Sequence, residues 1–201
     1  MKNNKATNSF KKTKQNGTSG HLFIISAPSG AGKTTLCKIL LKQFPGLLFS
    51  VSFTTRSPRP EEKNGKDYNF ITREEFCRGI KKGLWAEWAE VHGNYYGTSV
   101  NFLNNAMAEG KNIILDIDVQ GAATMLRSYP DAATIFIQPP SMEVLQSRLK
   151  KRSSDSETVI KKRIDAAVKE MAQKHLYSHI VVNDDLAKTV EELLVIIRQY
   201  V

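Results

Sequence analysis

Residues 27–35 read Ala27-Pro28-Ser29-Gly30-Ala31-Gly32-Lys33-Thr34-Thr35. An apolar run at residues 22–25 precedes this segment and a second apolar run begins at residue 36, so the pattern predicts a strand, a tight loop and a helix. Small residues let successive backbone N–H groups converge on an anion at the positive end of a helix. Lys33 adds a point charge for phosphate oxygens, and the Thr34 hydroxyl suits a Mg²⁺ ion. The segment therefore predicts a phosphate-binding loop for a nucleoside triphosphate.

Ala27 is a departure from the usual phosphate-loop pattern, which has glycine at this position. A methyl group fits there if the backbone φ stays negative, since only a positive φ demands glycine. The alternative interpretation is a glycine-rich connection that binds nothing. The phosphate loop is favoured over it because the strand, the spacing, the Lys-Thr pair and the helix coincide.

The composition predicts one domain with a single packed core, because 41% of the 201 residues are hydrophobic. There is no apolar run of about 18 residues, and the first twenty residues lack the apolar centre of a secretion signal. Cys37 and Cys77 lie far apart and lack the spacing of metal ligands, which suits a reducing compartment. We therefore expect a cytoplasmic protein with no membrane partner.

The net charge of +9 is unevenly distributed, since residues 1–20 contain five lysines and no acidic residue. The composition of that segment predicts a basic, disordered tail, followed by a domain at residues 21–201. Such a tail can act as a solubilising extension or make weak contacts with RNA or acidic partners. We expect no specific nucleic-acid partner.

The domain alternates apolar strands with helical segments. Strands are predicted at about residues 21–26, 48–53, 113–117, 133–137 and 179–182, and helices at about 33–43, 120–128, 141–151, 156–174 and 185–199. The pattern predicts a three-layer α/β fold with a mainly parallel sheet. Residues 54–97 form an insertion with antiparallel character, in which Thr72 and Glu75 predict a capping box, and Thr98 or Ser99 is expected to cap the helix after it.

Arg56 and Arg59 lie three residues apart in a proline-rich loop. Prolines stiffen the loop, so two guanidinium groups can be presented to one anion. Arginines in such a loop are often simply solvated, but a phosphate-transfer enzyme needs a site for its acceptor.

Four sequence blocks carry a more specific resemblance. They are Ser52-Phe53-Thr54-Thr55-Arg56-Ser57-Pro58-Arg59-Pro60, then Asn64-Gly65-Lys66-Asp67-Tyr68-Asn69-Phe70, then Gly93-Asn94-Tyr95-Tyr96-Gly97, and Leu115-Asp116-Ile117-Asp118-Val119-Gln120-Gly121. In this order after the phosphate loop, they resemble the guanylate kinase family over about residues 21–201. The resemblance implies a P-loop kinase fold with a small mixed α/β GMP-binding insertion and a helical lid at about residues 139–163. It also implies phosphoryl transfer from MgATP to GMP, and to dGMP, in purine nucleotide metabolism.

The resemblance also implies how GMP is bound. The GMP-binding residues it implies are Ser52, Arg56, Arg59, Tyr68, Glu87, Tyr96, Thr98 and Asp116. Glu87 is the carboxylate that reads guanine, which offers it an N1–H and an exocyclic amine, whereas adenine offers an acceptor at N1. Without the resemblance, Glu87 would be placed on the solvent face of an alternating strand.

The remaining roles implied by the resemblance concern ATP and the transferred phosphate. ATP is bound by residues 27–35 and Asn183, and Mg²⁺ by Thr34 and, through water, Asp118. The catalytic cations are Lys33, Arg56, Arg148, Arg152 and Arg163. Asp118 and Asp184 have an alternative use as helix N-caps. Ser153 stands where the family usually has glycine.

Two other functions fit part of the pattern. A guanylate-kinase-like module that binds acidic peptides would not need an intact phosphate loop. A kinase with a different acceptor would not need Ser52, Glu87 and Thr98 together. The sequence leaves the oligomeric state open between monomer and homodimer.

Overall fold

The computed structural model of the chain describes residues 19–91, 93–152 and 157–201. Its elements in chain order are β1 (Leu22–Ser26), α1 (Lys33–Gln43), β2 (Leu47–Phe49), β3 (Phe53–Thr54), β4 (Asn69–Phe70), α2 (Arg73–Lys81), β5 (Trp85–Val91), β6 (Asn94–Ser99), α3 (Val100–Ala108), β7 (Asn112–Asp116), α4 (Val119–Ser128), β8 (Ala133–Gln138), α5 (Met142–Arg152), α6 (Glu157–Met171), β9 (His179–Val182) and α7 (Leu186–Arg198). The predicted tail at residues 1–20 lies outside the described residues, except for its last two.

The larger sheet has five strands in the order β2-β7-β1-β8-β9, and each neighbouring pair is parallel. All five residues of β1 are buried, as are the first five of β8. Strands this apolar are covered on both faces, as expected for a parallel sheet with crossover helices. The predicted α/β class with a mainly parallel sheet is confirmed.

The core lies on both faces of this sheet. Phe23 and Ile25 of β1 pack with side chains of α1 and α7, whereas Leu22 and Ile24 pack with α3 and α4. Successive strand residues point to opposite faces, so one strand contributes to both clusters. The result is the predicted arrangement of three layers.

The smaller sheet has the order β4-β3-β6-β5, with β6 antiparallel to both β3 and β5 and with β3 parallel to β4. Helix α2 packs against it through Phe76, whose ring centroid lies 4.6 Å from that of Trp85 and 5.3 Å from that of Tyr95. The predicted capping box is present. The Thr72 hydroxyl accepts from Glu75 N, and Glu75 Oε2 accepts from Thr72 N.

The prediction of one strand over residues 48–53 is wrong. The chain leaves the large sheet after Phe49, with a last hydrogen bond from Ser50 N to Ile114 O at 3.0 Å, and joins the small sheet at Phe53. Residues 48–53 have the spacing of a strand, but spacing does not reveal which sheet each residue pairs with. This crossing point links the two sheets.

The Ser99 cap of α3 was one of the two predicted residues, whereas the cap of α7 differs from the predicted alternative by one residue. Ser99 caps α3, while the hydroxyl of Thr98 is used elsewhere. Asp185 caps α7, with Oδ1 accepting from Lys188 N at 2.9 Å, so the alternative cap at Asp184 is wrong. A one-residue shift of this kind is typical of helix ends read from sequence.

Helices α5 and α6 pack on each other through a separate apolar cluster that includes Leu145, Leu149 and Ile160. α6 ends at Met171, earlier than predicted, and the chain continues into a 3₁₀ turn at Lys174–Leu176. Within the described ranges, no helix has the length and apolar character needed to cross a bilayer.

We expect Thr72→Ala to lower the free energy of unfolding by about 1 kcal/mol, because it removes the acceptor for Glu75 N and leaves that amide without its cap. Urea unfolding measures the effect. Thr124→Ala is the control, since the Thr124 hydroxyl donates to Gln120 O within α4 and caps no helix. Equal unfolding midpoints for the two variants would contradict a stabilising role for the capping box.

Candidate functional site

The loop between β1 and α1 has the backbone that anion binding requires. Gly30 and Gly32 have φ values of 93° and 99°, a region that disfavours side chains. Gly32 is the N-cap of α1, and it has no side chain to occupy the first amides of the helix. These amides and the positive end of the helix dipole form a site for phosphate oxygens.

Lys33 lies between this loop and the end of β7. Its Nζ is 2.5 Å from Asp116 Oδ1 and donates to Ile117 O at 3.2 Å. Burial lowers the pKa of Lys33, but the charge of Asp116 and its hydrogen bond with Lys33, together with smaller effects of Cys37 and Tyr68, outweigh burial, so the pKa is raised above its usual value. Lys33 is therefore a permanent cation at the floor of the site.

A cleft of about 370 Å³ extends from the phosphate loop. Its lining residues come from that loop, from the small sheet, from the end of β7 and from α6. They are Ala27, Pro28, Ser29, Gly30, Gly32, Lys33, Thr34, Ser52, Arg59, Tyr68, Glu87, Ala89, Val91, Tyr96, Gly97, Asp116, Ile117, Asp118, Arg163, Ala166 and Glu170. Most of the predicted ATP-binding and GMP-binding residues thus share one cleft, whereas Thr35 is exposed on α1 and is not among the lining residues.

One end of the cleft has the side chains predicted to hold the acceptor phosphate. Tyr68 and Tyr96 have ring centroids 5.9 Å apart, and Arg59 lines the cleft with them. Arg56 is not among the lining residues. Its guanidinium instead lies over the ring of Tyr68, at 5.3 Å from the ring centroid.

Glu62 holds both arginine positions, and the sequence analysis did not identify it. Its Oε1 accepts from Arg56 Nη2 at 2.8 Å, and its Oε2 accepts from Arg59 N at 2.8 Å. The hydrogen bond from Arg56 lowers the pKa of Glu62. The sequence shows an acidic residue, Glu62, shortly after Arg59 and Pro60. Its hydrogen bonds to the Arg56 side chain and the Arg59 amide could not be predicted from spacing.

Glu87 is buried, with 5% of its surface exposed, so it does not lie on the solvent face where strand alternation alone would place it. The register of β5 against β6 shifts between Trp85 and Glu87, which indicates a β-bulge. Bulges re-aim side chains next to binding sites. Glu87 Oε1 accepts from Thr98 Oγ1 at 2.6 Å, and burial raises the pKa of Glu87 to about 7.

Asp118 has the helix-capping role that was the alternative use considered from the sequence, and it also lies at the cleft. Its Oδ1 accepts from Gly121 N at 2.7 Å, so it caps α4, and its side chain also lines the cleft. Asp116 and Asp118 follow a buried strand at the carboxyl edge of the parallel sheet, where ligands bind in this class of fold.

The arginines on the two helices after β8 have different positions. Arg163 lines the cleft, whereas Arg148 Nη2 donates to Asn183 O at 2.9 Å. The Arg152 side chain and residues 153–156, including Ser153, lie outside the described part of the chain. Asn183 is buried, and its Nδ2 donates to Ala31 O at 2.6 Å, so it anchors the phosphate loop.

Glu170 is a cleft residue that the sequence analysis missed. It lies on the same face of α6 as Arg163 and Ala166, and all three residues line the cleft. Burial raises the pKa of Glu170 to about 7, although the charge of Lys33 acts in the opposite direction. The spacing of these three residues on one helix face was a signal that could have found it.

Comparisons with known proteins agree with this geometry. A family model described as guanylate kinase matches residues 19–200. The chain is 55% identical to a guanylate kinase of Geobacter metallireducens and 53% identical to one of Geobacter sulfurreducens, in each case over 87% of this chain and 86% of the relative. The crystal structure of guanylate kinase from Anaplasma phagocytophilum matches with a TM-score of 0.74 and 33% identity, over 91% of this chain and 87% of that one. A phosphate loop and a buried carboxylate that share one cleft, in a chain matched along nearly its whole length, show that this protein belongs to the guanylate kinase family.

Proposed function

We propose that the protein transfers the γ-phosphoryl group of MgATP to GMP or dGMP, releasing ADP and the nucleoside diphosphate. Membership of the guanylate kinase family supports the reaction class. The observation that carries the proposal for this chain is that one cleft contains both the phosphate loop and the buried Glu87. The first suits a nucleoside triphosphate donor, and the second suits a guanine nucleotide acceptor.

The chemistry of the transfer needs cations more than it needs a base. Two unit negative charges about 4 Å apart repel by roughly 1 kcal/mol in water and by about 4 kcal/mol at an effective dielectric of 20. Lys33, Arg59 and Arg163 supply positive charge inside the cleft. An oxygen of the acceptor phosphate attacks the γ-phosphorus in line, the bond to the β–γ bridging oxygen breaks, and ADP leaves with that oxygen. The mechanism forms no covalent enzyme intermediate.

Guanine recognition is proposed for Glu87. As a carboxylate, it accepts hydrogen bonds from guanine N1–H and from the exocyclic amine. Its Oε1 also accepts a hydrogen bond from the Thr98 hydroxyl. Adenine would present a lone pair at N1 to a desolvated carboxylate and leave both groups unpaired. Sites of this kind reject the wrong analogue strongly, by roughly 10⁴-fold or more. Ser52 and Asp116 are proposed as further contacts of the nucleoside, and both line the cleft.

The acceptor phosphate is proposed to bind Arg56, Arg59, Tyr68 and Tyr96. Two guanidinium groups and two phenol donors suit a dianionic monoester. Arg59 and the two tyrosines already face the cleft, and Arg56 adjoins it, stacked over Tyr68.

A Mg²⁺ ion fits the donor side of the cleft. Thr34 is exposed there, and Asp118 lines the same space, so a hydroxyl and a carboxylate oxygen are available beside the proposed position of the phosphates. Hard oxygen donors of this kind suit Mg²⁺. When bound, the ion would neutralise charge on the β- and γ-phosphate oxygens. Thr34 would hold it directly and Asp118 through a water.

The lid at residues 139–163 is proposed to bring Arg148 and Arg152 toward the phosphates, with Arg163 already at the cleft. Closure of such a lid over both nucleotides would exclude water, which is a competing acceptor. Asn183 is proposed to contact adenine through its amide oxygen, because its amide nitrogen is bonded to Ala31 O.

We further propose that the protein acts in the cytoplasm. The free thiols of Cys37 and Cys77 suit a reducing compartment. The predicted choice between monomer and homodimer remains open for measurement.

Purified protein should release ADP from MgATP with GMP or dGMP, and not with AMP, CMP or UMP. Lys33→Met should lower kcat by about 100-fold or more, because it removes a charge beside the transferred group. Glu87→Gln should lower kcat/KM for GMP by a similar factor, since its amide nitrogen would face guanine donors.

Lys38→Met is the matched control, because Lys38 is exposed on the same helix as Lys33 and should not affect turnover. Folded protein with no turnover on any acceptor would contradict the proposed function and favour a binding module.

GMP binding should release a proton at pH 6. Free Glu87 has a pKa of about 7 and is mostly protonated there, whereas the complex needs its carboxylate. Affinity for GMP should therefore rise with pH up to about 7 and then level off, because the bound state holds fewer protons than the free state. Calorimetry in buffers of different ionisation enthalpy counts the protons released.

Glu87→Gln is the control for proton release, because it keeps the ionisation of the GMP phosphate and removes that of Glu87. Equal proton release by the wild type and this variant would show that Glu87 does not titrate on binding.

Glu62→Gln should raise the KM for GMP about fivefold while leaving the KM for ATP unchanged. The substitution weakens a charge-assisted hydrogen bond that fixes the Arg56 guanidinium. Because the pair is partly exposed, the effect should be modest. Glu61→Gln tests the adjacent exposed carboxylate and should have no effect. An unchanged or lower KM for GMP in Glu62→Gln would contradict a positioning role.

A further inference from the structure

The first turn of α4 lies against the carboxyl group of Glu87. Gly121 is the third residue of this helix, it is buried, and its N–H donates to Asp118 Oδ1. A Cβ atom on Gly121 would lie 2.7 Å from Glu87 Oε2, 3.3 Å from Glu87 Cδ and 3.3 Å from Oδ1 of the helix cap Asp118, so its shortest contact is with Glu87. The carboxylate of Glu87 therefore occupies the space that any side chain at this position would need.

The backbone does not require glycine at this position. Gly121 lies within a regular α-helix and is not among the glycines with positive φ. Alanine is the better helix former, so local propensity also argues against glycine here. What distinguishes Gly121 is the close approach of a side chain from another element.

Glu87 is held from its other side by Thr98. The Thr98 hydroxyl donates to Oε1 at 2.6 Å, while Oε2 lies over Gly121. The carboxyl group is thus confined between a hydroxyl on β6 and the bare backbone of α4. This confinement limits the orientations open to a carboxyl group that lines the cleft.

We propose that Gly121 is a specificity-determining position that lets the Glu87 carboxylate adopt the orientation required to read guanine. The proposal rests on the proposed function, because it acts through Glu87. A methyl group at residue 121 moves the end of a flexible side chain rather than the backbone, so the fold survives and the carboxylate is displaced. One of the two hydrogen bonds to guanine is then lost or lengthened.

Gly121→Ala tests this directly. We expect the KM for GMP to rise about 10-fold to 100-fold, with the KM for ATP unchanged. Gly46→Ala is the matched control, because a Cβ at Gly46 meets nothing within 4 Å and its φ is not positive. Equal KM values for GMP in the wild type and Gly121→Ala would overturn the proposal.

A double-mutant cycle gives a readout that does not depend on turnover. In urea unfolding, Gly121→Ala should shift the midpoint more favourably in a Glu87→Ala background than in the wild type, because the atoms it would meet are gone. Equal shifts in the two backgrounds would show that residue 121 and Glu87 do not compete for space, which also overturns the proposal.

The two measurements separate this proposal from the proposed function. Wild-type protein without GMP turnover would refute the proposed function and, with it, a role in guanine specificity. Wild-type turnover that Gly121→Ala leaves unchanged would refute only the role of Gly121.

Discussion

The parallel pairing of β1 with β7 is the interaction on which the site depends. It sets Ile25 opposite Asp116, so the strand that enters the phosphate loop and the strand that ends at Asp116, two residues before Asp118, finish at the same sheet edge. Lys33 bridges that edge, with its Nζ 2.5 Å from Asp116 Oδ1. The chain enters the small sheet at β3, soon after it leaves β2. Residues of the small sheet line the cleft at this same edge. The subsites proposed for the phosphate donor and for the acceptor therefore share one wall.

This shared wall also determines the charge balance of the cleft. Its cations Lys33, Arg59 and Arg163 share the cleft with four carboxyl groups, those of Glu87, Asp116, Asp118 and Glu170. Groups of opposite charge limit the repulsion between these cations. Burying an ion pair is costly unless other hydrogen bonds support it, and Lys33 Nζ donates one to Ile117 O in addition to its contact with Asp116. Phosphate oxygens that reach Lys33 must compete with Asp116. Burial of Glu170 beside these groups raises its pKa.

Local sequence patterns predicted most elements of the fold, because a buried parallel strand and an amphipathic helix each have a distinct period. The phosphate loop was equally predictable, since its backbone requirements are encoded within a few adjacent residues. The pattern failed where tertiary pairing decides the outcome. Residues 48–53 divide between two sheets, and a bulge turns Glu87 inward, although alternation predicted a solvent face. Glu62 and Glu170 were missed because their partners lie on other turns or other elements.

Glycine positions show why a residue-by-residue motif comparison is an incomplete guide to this site. The backbone of Gly30 and Gly32 has positive φ, so a side chain there would be strained whatever the surrounding space. Ala27 replaces the first glycine of the pattern and packs against the apolar cluster that contains Phe23, so its methyl group is accommodated by the core. Gly121 differs from both cases. Its φ is not positive, and the space that a methyl group would need is occupied by the Glu87 carboxylate from β5. The constraint at Gly30 and Gly32 is local and can be argued from sequence, whereas the fit of Ala27 depends on the packed core and that of Gly121 exists only once α4 has packed on β5.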